Sequence, residues 1–255
     1  MFAKCNFLYI KRFEMNYSQT LSNLKIKIFA DGADFDTIIK LNSLEHIRGF
    51  TTNPTLMRKS GIEDYEKFSK SILEKIQDKP ISLEVFADDI DEMYNQAKKI
   101  SSWGNNINIK IPITNTKNTN TCELIANLCS EGIKVNVTAI FTINQIKPLM
   151  KKIDKNANLI LSVFAGRIAD TGIDPIPTIK ETIGLSKEFY NTEVLWASPR
   201  ELLNIFQADE VGCHIITIAS DIINKLILIN KGLNEFSRET VEMFYSDALK
   251  SKFKI

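Results

Sequence analysis

Eight short apolar, β-rich runs separated by longer segments with helical spacing constrain this chain more than any other feature. The runs are KIKIFAD (25–31), GFTTN (49–53), ISLEVFA (81–87), NINIKIPIT (106–114), KVNVTAIFT (134–142), LILSVFAG (159–166), VLWASP (194–199) and CHIITIA (213–219). Between them, DFDTIIKLNSLEHI, GIEDYEKFSKSILEKIQ, DIDEMYNQAKKISSW and TCELIANLCSEG place apolar residues at intervals of three and four, as outer helices require. Strands that alternate with helices argue for a parallel sheet, because a parallel neighbour is reached only through a crossover. Eight such units without a Pro-, Gly- or Ser-rich linker argue for one α/β domain over 25–232, a closed (β/α)8 TIM barrel, rather than an open doubly wound sheet. After an eighth helix at SDIINKLILINKG, the tail over 233–255 carries an apolar stripe at Val241, Phe244, Tyr245 and Leu249. That stripe predicts a C-terminal helix packed on the barrel rim or on a neighbouring subunit. Residues 1–24 read as an N-terminal extension, with Met1 and Met15 both candidate starts.

Charge and cysteine usage narrow the partners. In 255 residues, 32 Lys and Arg stand against 31 Asp and Glu, so no global field attracts nucleic acid or an anionic membrane, and an anionic partner must be met by a local site. The expected partner is a small molecule. Cys5, Cys122, Cys129 and Cys213 form no C-x-x-C pair, which fits a reducing cytoplasm. The apolar run from Phe7 to Ile10 is too short for a signal-peptide core or a membrane helix.

Strand side chains alternate between faces, so the parity of a polar residue says which layer it enters. In the fourth run Ile107, Ile109, Ile111 and Ile113 make a row suited to the helices, and Asn108, Lys110 and Pro112 make the opposite row, facing the barrel axis. The same count turns Ser82, Glu84 and Phe86 inward, together with Asn136, Thr138 and Ile140, and Ser162 and Phe164. Asp31, Asn53 and Ser198 end the first, second and seventh runs. Polar groups thus gather at the strand ends where a barrel builds its reaction site. An isolated inward Ser, Thr or Asn is ordinarily a hydrogen-bonded filler. Lys110 differs, because the apolar run continues past it and an unpaired buried ammonium is costly. Such a lysine either serves as a carbonyl nucleophile or pairs with a carboxylate such as Glu84, and the residues alone leave both readings open. Read alone, Arg167 would bridge to Asp170, and Arg200 would pair with Glu201 or a helix carboxylate.

Seven ordered motifs carry a more specific signal: FADGAD (29–34), GFTTNPTL (49–56), SLEVFAD (82–88), NIKIPIT (108–114), VNVTAIFT (135–142), SVFAGRIADTG (162–172) and WASPRE (196–201). Together they resemble the transaldolase family, particularly its short members, which include the fructose-6-phosphate aldolases, over about residues 25–250. The resemblance implies that Lys110 forms the Schiff base and that Asp31 handles the hydroxyl proton during carbon–carbon cleavage. It implies that Glu84 and Thr138 position a water for proton transfer, while Asn53 holds the dihydroxyacetone portion and Ser162 contacts the substrate near the lysine. Arg167, assisted by Ser198 and Arg200, would receive the phosphate. The implied reaction moves a dihydroxyacetone unit from a ketose phosphate to an aldose phosphate, with no metal or organic cofactor. In the aldolase branch the Glu84 position is usually Gln and the Phe164 position Tyr, so the residues here favour transfer over release. Short members form large rings, which implies a homo-oligomer.

Other conspicuous residues read as structural. His46 and His214 lack ligand spacing, Cys122 and Cys129 share a helix face, and Trp103 and Trp196 read as packing residues, the latter leading into the Ser198 loop. NTKNTNT (115–121) reads as a polar loop.

Overall fold

The computed structural model describes residues 19–251. Eight strands form where the sequence pattern places them: β1 (Lys27–Asp31), β2 (Ile47–Thr51), β3 (Ile81–Glu84), β4 (Ile107–Pro112), β5 (Val135–Ile140), β6 (Leu159–Val163), β7 (Thr192–Trp196) and β8 (Ile215–Ala219). All neighbours pair in parallel, and β8 returns to β1 to close the barrel. The helices of this unit are α1 (Phe35–Asn42), α2 (Pro54–Lys59), α3 (Tyr65–Lys75), α4 (Ile90–Ser101), α5 (Cys122–Ser130), α6 (Ile143–Met150), α7 (Ala165–Ala169), α8 (Ile176–Ser186), α9 (Leu203–Glu210) and α10 (Ser220–Ile223). Each of α1 to α4 begins on an Asp or Asn whose side chain accepts a first-turn amide, the expected satisfaction of an orphan helix donor.

The barrel unit spans residues 24–223. Residues 19–23 and 224–251 belong to a second unit, which contains a 3-10 turn (Leu226–Leu228) and helix α11 (Leu233–Ser251). The expected long eighth helix is thus a single turn, α10, followed by the 3-10 turn and by Asn230 in the left-handed region at φ 64°. No residue of α11 is buried, and Val241, Phe244, Tyr245 and Leu249 are all exposed. Among the described residues no helix is long and apolar enough to cross a membrane.

The site stands on a close-packed floor. Phe29, Ile160, Leu195 and Ile215 fill the barrel below it. Phe29 occupies the place where a β2 side chain would go: a Cβ added at Gly49 would lie 2.6 Å from its ring, so only glycine fits there. On the outer face of β4, Ile109, Ile111 and Ile113 are almost completely removed from solvent. Burial of each contributes roughly 1.5–3 kcal/mol, which leaves the opposite face of the strand free for polar groups.

Two parity expectations are corrected. Ala139 adopts φ 58° within a bulge of β5, where Val137 registers with Leu161 but Ile140 registers with Val163. The extra residue returns Ile140 to the row of Val137 and Val163, facing the helices rather than the axis. Phe86 lies beyond the end of β3 and is 48% exposed, with its ring 4.5 Å from that of Tyr65 instead of inside the barrel.

Candidate active site

Asp31, Asn53, Glu84, Lys110, Thr138, Ser162, Phe164, Arg167, Ser198 and Arg200 all line one cavity of about 570 Å³ at the C-terminal ends of the strands. The period-two pattern of β4 places the Lys110 side chain there at 7% exposure. Its Nζ donates to the carbonyl oxygen of Thr52 at 2.7 Å and to Glu84 Oε2 at 3.1 Å. Glu84 and Lys110 are register partners across β3 and β4, so the ladder itself brings the two side chains together. The carboxylate pairing read from the sequence as an alternative to nucleophilic chemistry is therefore present. It does not oppose that chemistry, because a base hydrogen-bonded to Nζ can receive the proton the amine sheds before attack.

Asp31, at the end of β1, accepts a hydrogen bond from Thr51 Oγ1 at 2.8 Å and lies 3.4 Å from Asn53 Nδ2. Thr51 in turn meets Thr217 Oγ1 at 2.5 Å, a buried hydroxyl pair that fixes the carboxylate from below. Burial holds the Asp31 carboxyl above the ordinary carboxylate range, against the lowering influence of the Lys110 charge and the Thr51 hydrogen bond. An acid raised in this way suits proton exchange with a hydroxyl. Asn53 is the N-cap of α2, and its Oδ1 accepts from the amide of Leu56 at 3.0 Å, which orients its Nδ2 toward Asp31.

On the opposite wall, Ser162 Oγ donates to Asn136 Oδ1 at 2.6 Å, and Asn136 Nδ2 donates to Ser82 Oγ at 3.1 Å. This buried relay crosses β6, β5 and β3 beside Lys110. Asn136 lines the cavity too, and it joins Ser162 and Thr138, the two residues of this wall that the motif resemblance assigns. The Thr138 hydroxyl makes no hydrogen bond to another described residue and borders the cavity.

The cationic end is built from α7 and the loop after β7, in close approach. Gly166, in the first turn of α7, lies so near the β7 loop that an added Cβ would sit 1.6 Å from the Ser198 carbonyl oxygen. Ser198 itself takes φ 59°. The Arg200 fork grips Asp170 through Nε at 2.8 Å and through Nη2, and its Nη1 reaches Ser198 Oγ at 3.0 Å. Arg200 holds Asp170 below the usual carboxylate range. Asp170 thus pairs with Arg200 and not, as the isolated sequence reading had it, with Arg167. The Arg167 guanidinium instead lies over the Phe164 ring at 5.8 Å and faces the cavity without a carboxylate partner among the described residues. A guanidinium over an aromatic face keeps its donors free for an anion.

The residues read as structural have structural surroundings. His214 Nδ1 accepts from the Val194 amide at 2.9 Å, Trp196 is fully buried, and Trp103 packs 5.7 Å from Tyr65. Cys122 is buried and Cys129 half-buried on α5, while Cys5 lies outside the described residues.

The family model described as transaldolase/fructose-6-phosphate aldolase matches residues 28–255. A probable transaldolase of Dehalococcoides mccartyi is 33% identical over 215 residues, covering 83% of this chain and 96% of the relative. One of Methanococcus maripaludis is 34% identical over 223 residues, covering 87% and 97%. The crystal structure of 3-hexulose-6-phosphate synthase from Salmonella typhimurium superposes with a TM-score of 0.55 at 13% identity, over 78% of this chain and 91% of that one, a likeness of fold alone. With a closed eight-stranded barrel, a lysine and two carboxylates at its C-terminal mouth, and a match that runs from the first strand through the last, the chain belongs to the transaldolase/fructose-6-phosphate aldolase family.

Proposed function

We propose that the protein is a transaldolase that carries a dihydroxyacetone unit on Lys110, from a ketose phosphate such as fructose 6-phosphate or sedoheptulose 7-phosphate to an aldose phosphate. The observation that carries this reading is the Lys110 amine held between the Thr52 carbonyl and the Glu84 carboxylate in the same cavity as Asp31. Nζ adds to the ketose C2 carbonyl, and water leaves as the C=N bond forms, with Glu84 and Thr138 positioning the water that moves the protons. Asp31 takes the C4 hydroxyl proton while the C3–C4 bond breaks, and its electron pair enters the iminium to give an enamine. The departing aldose leaves, an acceptor aldehyde enters, and the same steps run in reverse. Asn53 and Ser162 hold the three-carbon unit beside Phe164. Arg167 receives the phosphate, with Ser198 and Arg200 as the adjoining wall.

Borohydride reduction in the presence of fructose 6-phosphate tests the reading: the sugar mass should appear on the peptide containing Lys110. No adduct in folded protein that still binds fructose 6-phosphate overturns it and, where turnover is also absent, favours a non-catalytic sugar-phosphate-binding barrel, for which the Lys110–Glu84 pair would be purely structural. Release of free dihydroxyacetone without an acceptor favours the second reading, a fructose-6-phosphate or dihydroxyacetone-type aldolase. We further propose that copies of the chain associate through the exposed apolar residues of α11, in a homo-oligomer that includes ring assemblies.

A further inference from the structure

The ladder between β2 and β3 changes partners at the height of Lys110. Below that height it is regular: the amide of Phe50 donates to the Pro80 carbonyl at 2.9 Å, and that of Thr52 to the Ser82 carbonyl at 3.3 Å. Parallel pairing advances by two residues, so the next rungs would run from the amide of Glu84 to the Thr52 carbonyl and from the amide of residue 54 to the Glu84 carbonyl. Neither forms here. Residue 54 is proline and has no amide hydrogen, and the Thr52 carbonyl accepts from Lys110 Nζ.

Both orphaned groups of Glu84 turn to one side chain from α3. The Tyr65 hydroxyl donates to the Glu84 carbonyl at 3.0 Å and accepts from the Glu84 amide at 2.9 Å. Its ring is held edge-on by Phe86 and Trp103.

We infer that Tyr65 is a positioning residue for the Schiff-base chemistry: its hydroxyl stands in for the missing β2 rung, fixes the backbone of Glu84, and leaves the Thr52 carbonyl to Lys110. Without the hydroxyl, the Glu84 amide has the Thr52 carbonyl as its nearest regular partner, in competition with Nζ. The inference rests on the proposed role of Lys110.

The test compares the full chain with Tyr65→Phe, which keeps the ring and its packing. Expected for the variant is a fall in kcat and in the rate of borohydride-trapped adduct at Lys110 by roughly ten- to hundredfold. KM for the phosphorylated donor should change by less than about twofold, because the cationic end is untouched. The pH dependence of trapping should also move. Equal trapping rates and an unshifted pH profile in a folded variant overturn the role of Tyr65 and leave that of Lys110 standing, whereas absence of adduct in the wild-type protein overturns the Lys110 reading itself. If Tyr65→Phe does not fold, hydrogen exchange of the wild-type Glu84 amide decides: slow exchange supports the Tyr65 contact, and exchange at the rate of an open loop overturns it.

Discussion

Gly166 and the Ser198 carbonyl oxygen stand closer than any side-chain-bearing residue would allow, with a virtual Cβ at 1.6 Å from that oxygen. The contact fixes the spacing of α7, which presents Arg167, and the loop after β7, which presents Arg200. Gly166→Ala must therefore displace backbone, and a loss of about 2–4 kcal/mol is expected in urea denaturation, with a raised KM for phosphorylated substrate in any protein that folds.

The two arginines should behave differently. Arg167 donates to none of the described residues, so Arg167→Gln is expected to raise KM for the ketose phosphate by roughly ten- to a hundredfold with a smaller change in kcat. Arg200 is engaged by Asp170, so Asp170→Asn should loosen it and raise KM only severalfold. Steady-state kinetics on phosphorylated and unphosphorylated donors separates these effects.

Asp31 couples activity against stability. Burial raises its folded pKa, so between the ordinary Asp value of about 3.9 and the raised value the folded state binds more protons than the unfolded one. Its contribution to stability therefore declines as pH rises through that window, and the burial cost is fully expressed only above the raised value. Asp31→Asn is expected to melt higher than wild type at pH 7, with the difference shrinking on acidification, while kcat falls by at least roughly a hundredfold. Parallel melting curves in acid and neutral buffer check the sign.

Transfer and release should be exchangeable within this scaffold. Replacing Glu84 by Gln and Phe164 by Tyr brings both positions to the aldolase-branch choice, and the double variant is expected to release more free dihydroxyacetone per turnover without acceptor. Product analysis with and without an aldose phosphate reads the ratio directly.

Association through α11 predicts that substituting Val241, Phe244 and Leu249 with polar residues lowers the mass measured by light scattering. An unchanged mass would remove the proposed role of this helix.

Much of the architecture was legible because its causes are local. The unbroken alternation of β4 places Lys110 in the cavity, and eight strand-helix alternations without a linker imply closure. Parity failed at Ile140 and Phe86, where a single left-handed residue and the end of a strand reset the phase. The partner of Asp170 was not legible, since Arg167 and Arg200 are equivalent by charge and only the packing of α7 against the loop after β7 selects between them. Thr51 and Thr217 are not legible in the sequence because their value lies in meeting each other across the β1 strand, a long-range contact. Pro54 was a readable clue to Tyr65, since a proline straight after a strand removes a rung that something else must supply.

The bulge at Ala139 has a consequence for how such a barrel can vary. One extra residue turns β5 through half a pleat between its lower part and its mouth, so the two parts answer to different demands. Deleting that residue would leave Val135 and Val137 seated while shifting everything beyond Thr138 by one side, and the mouth could be retuned without reopening the foundations.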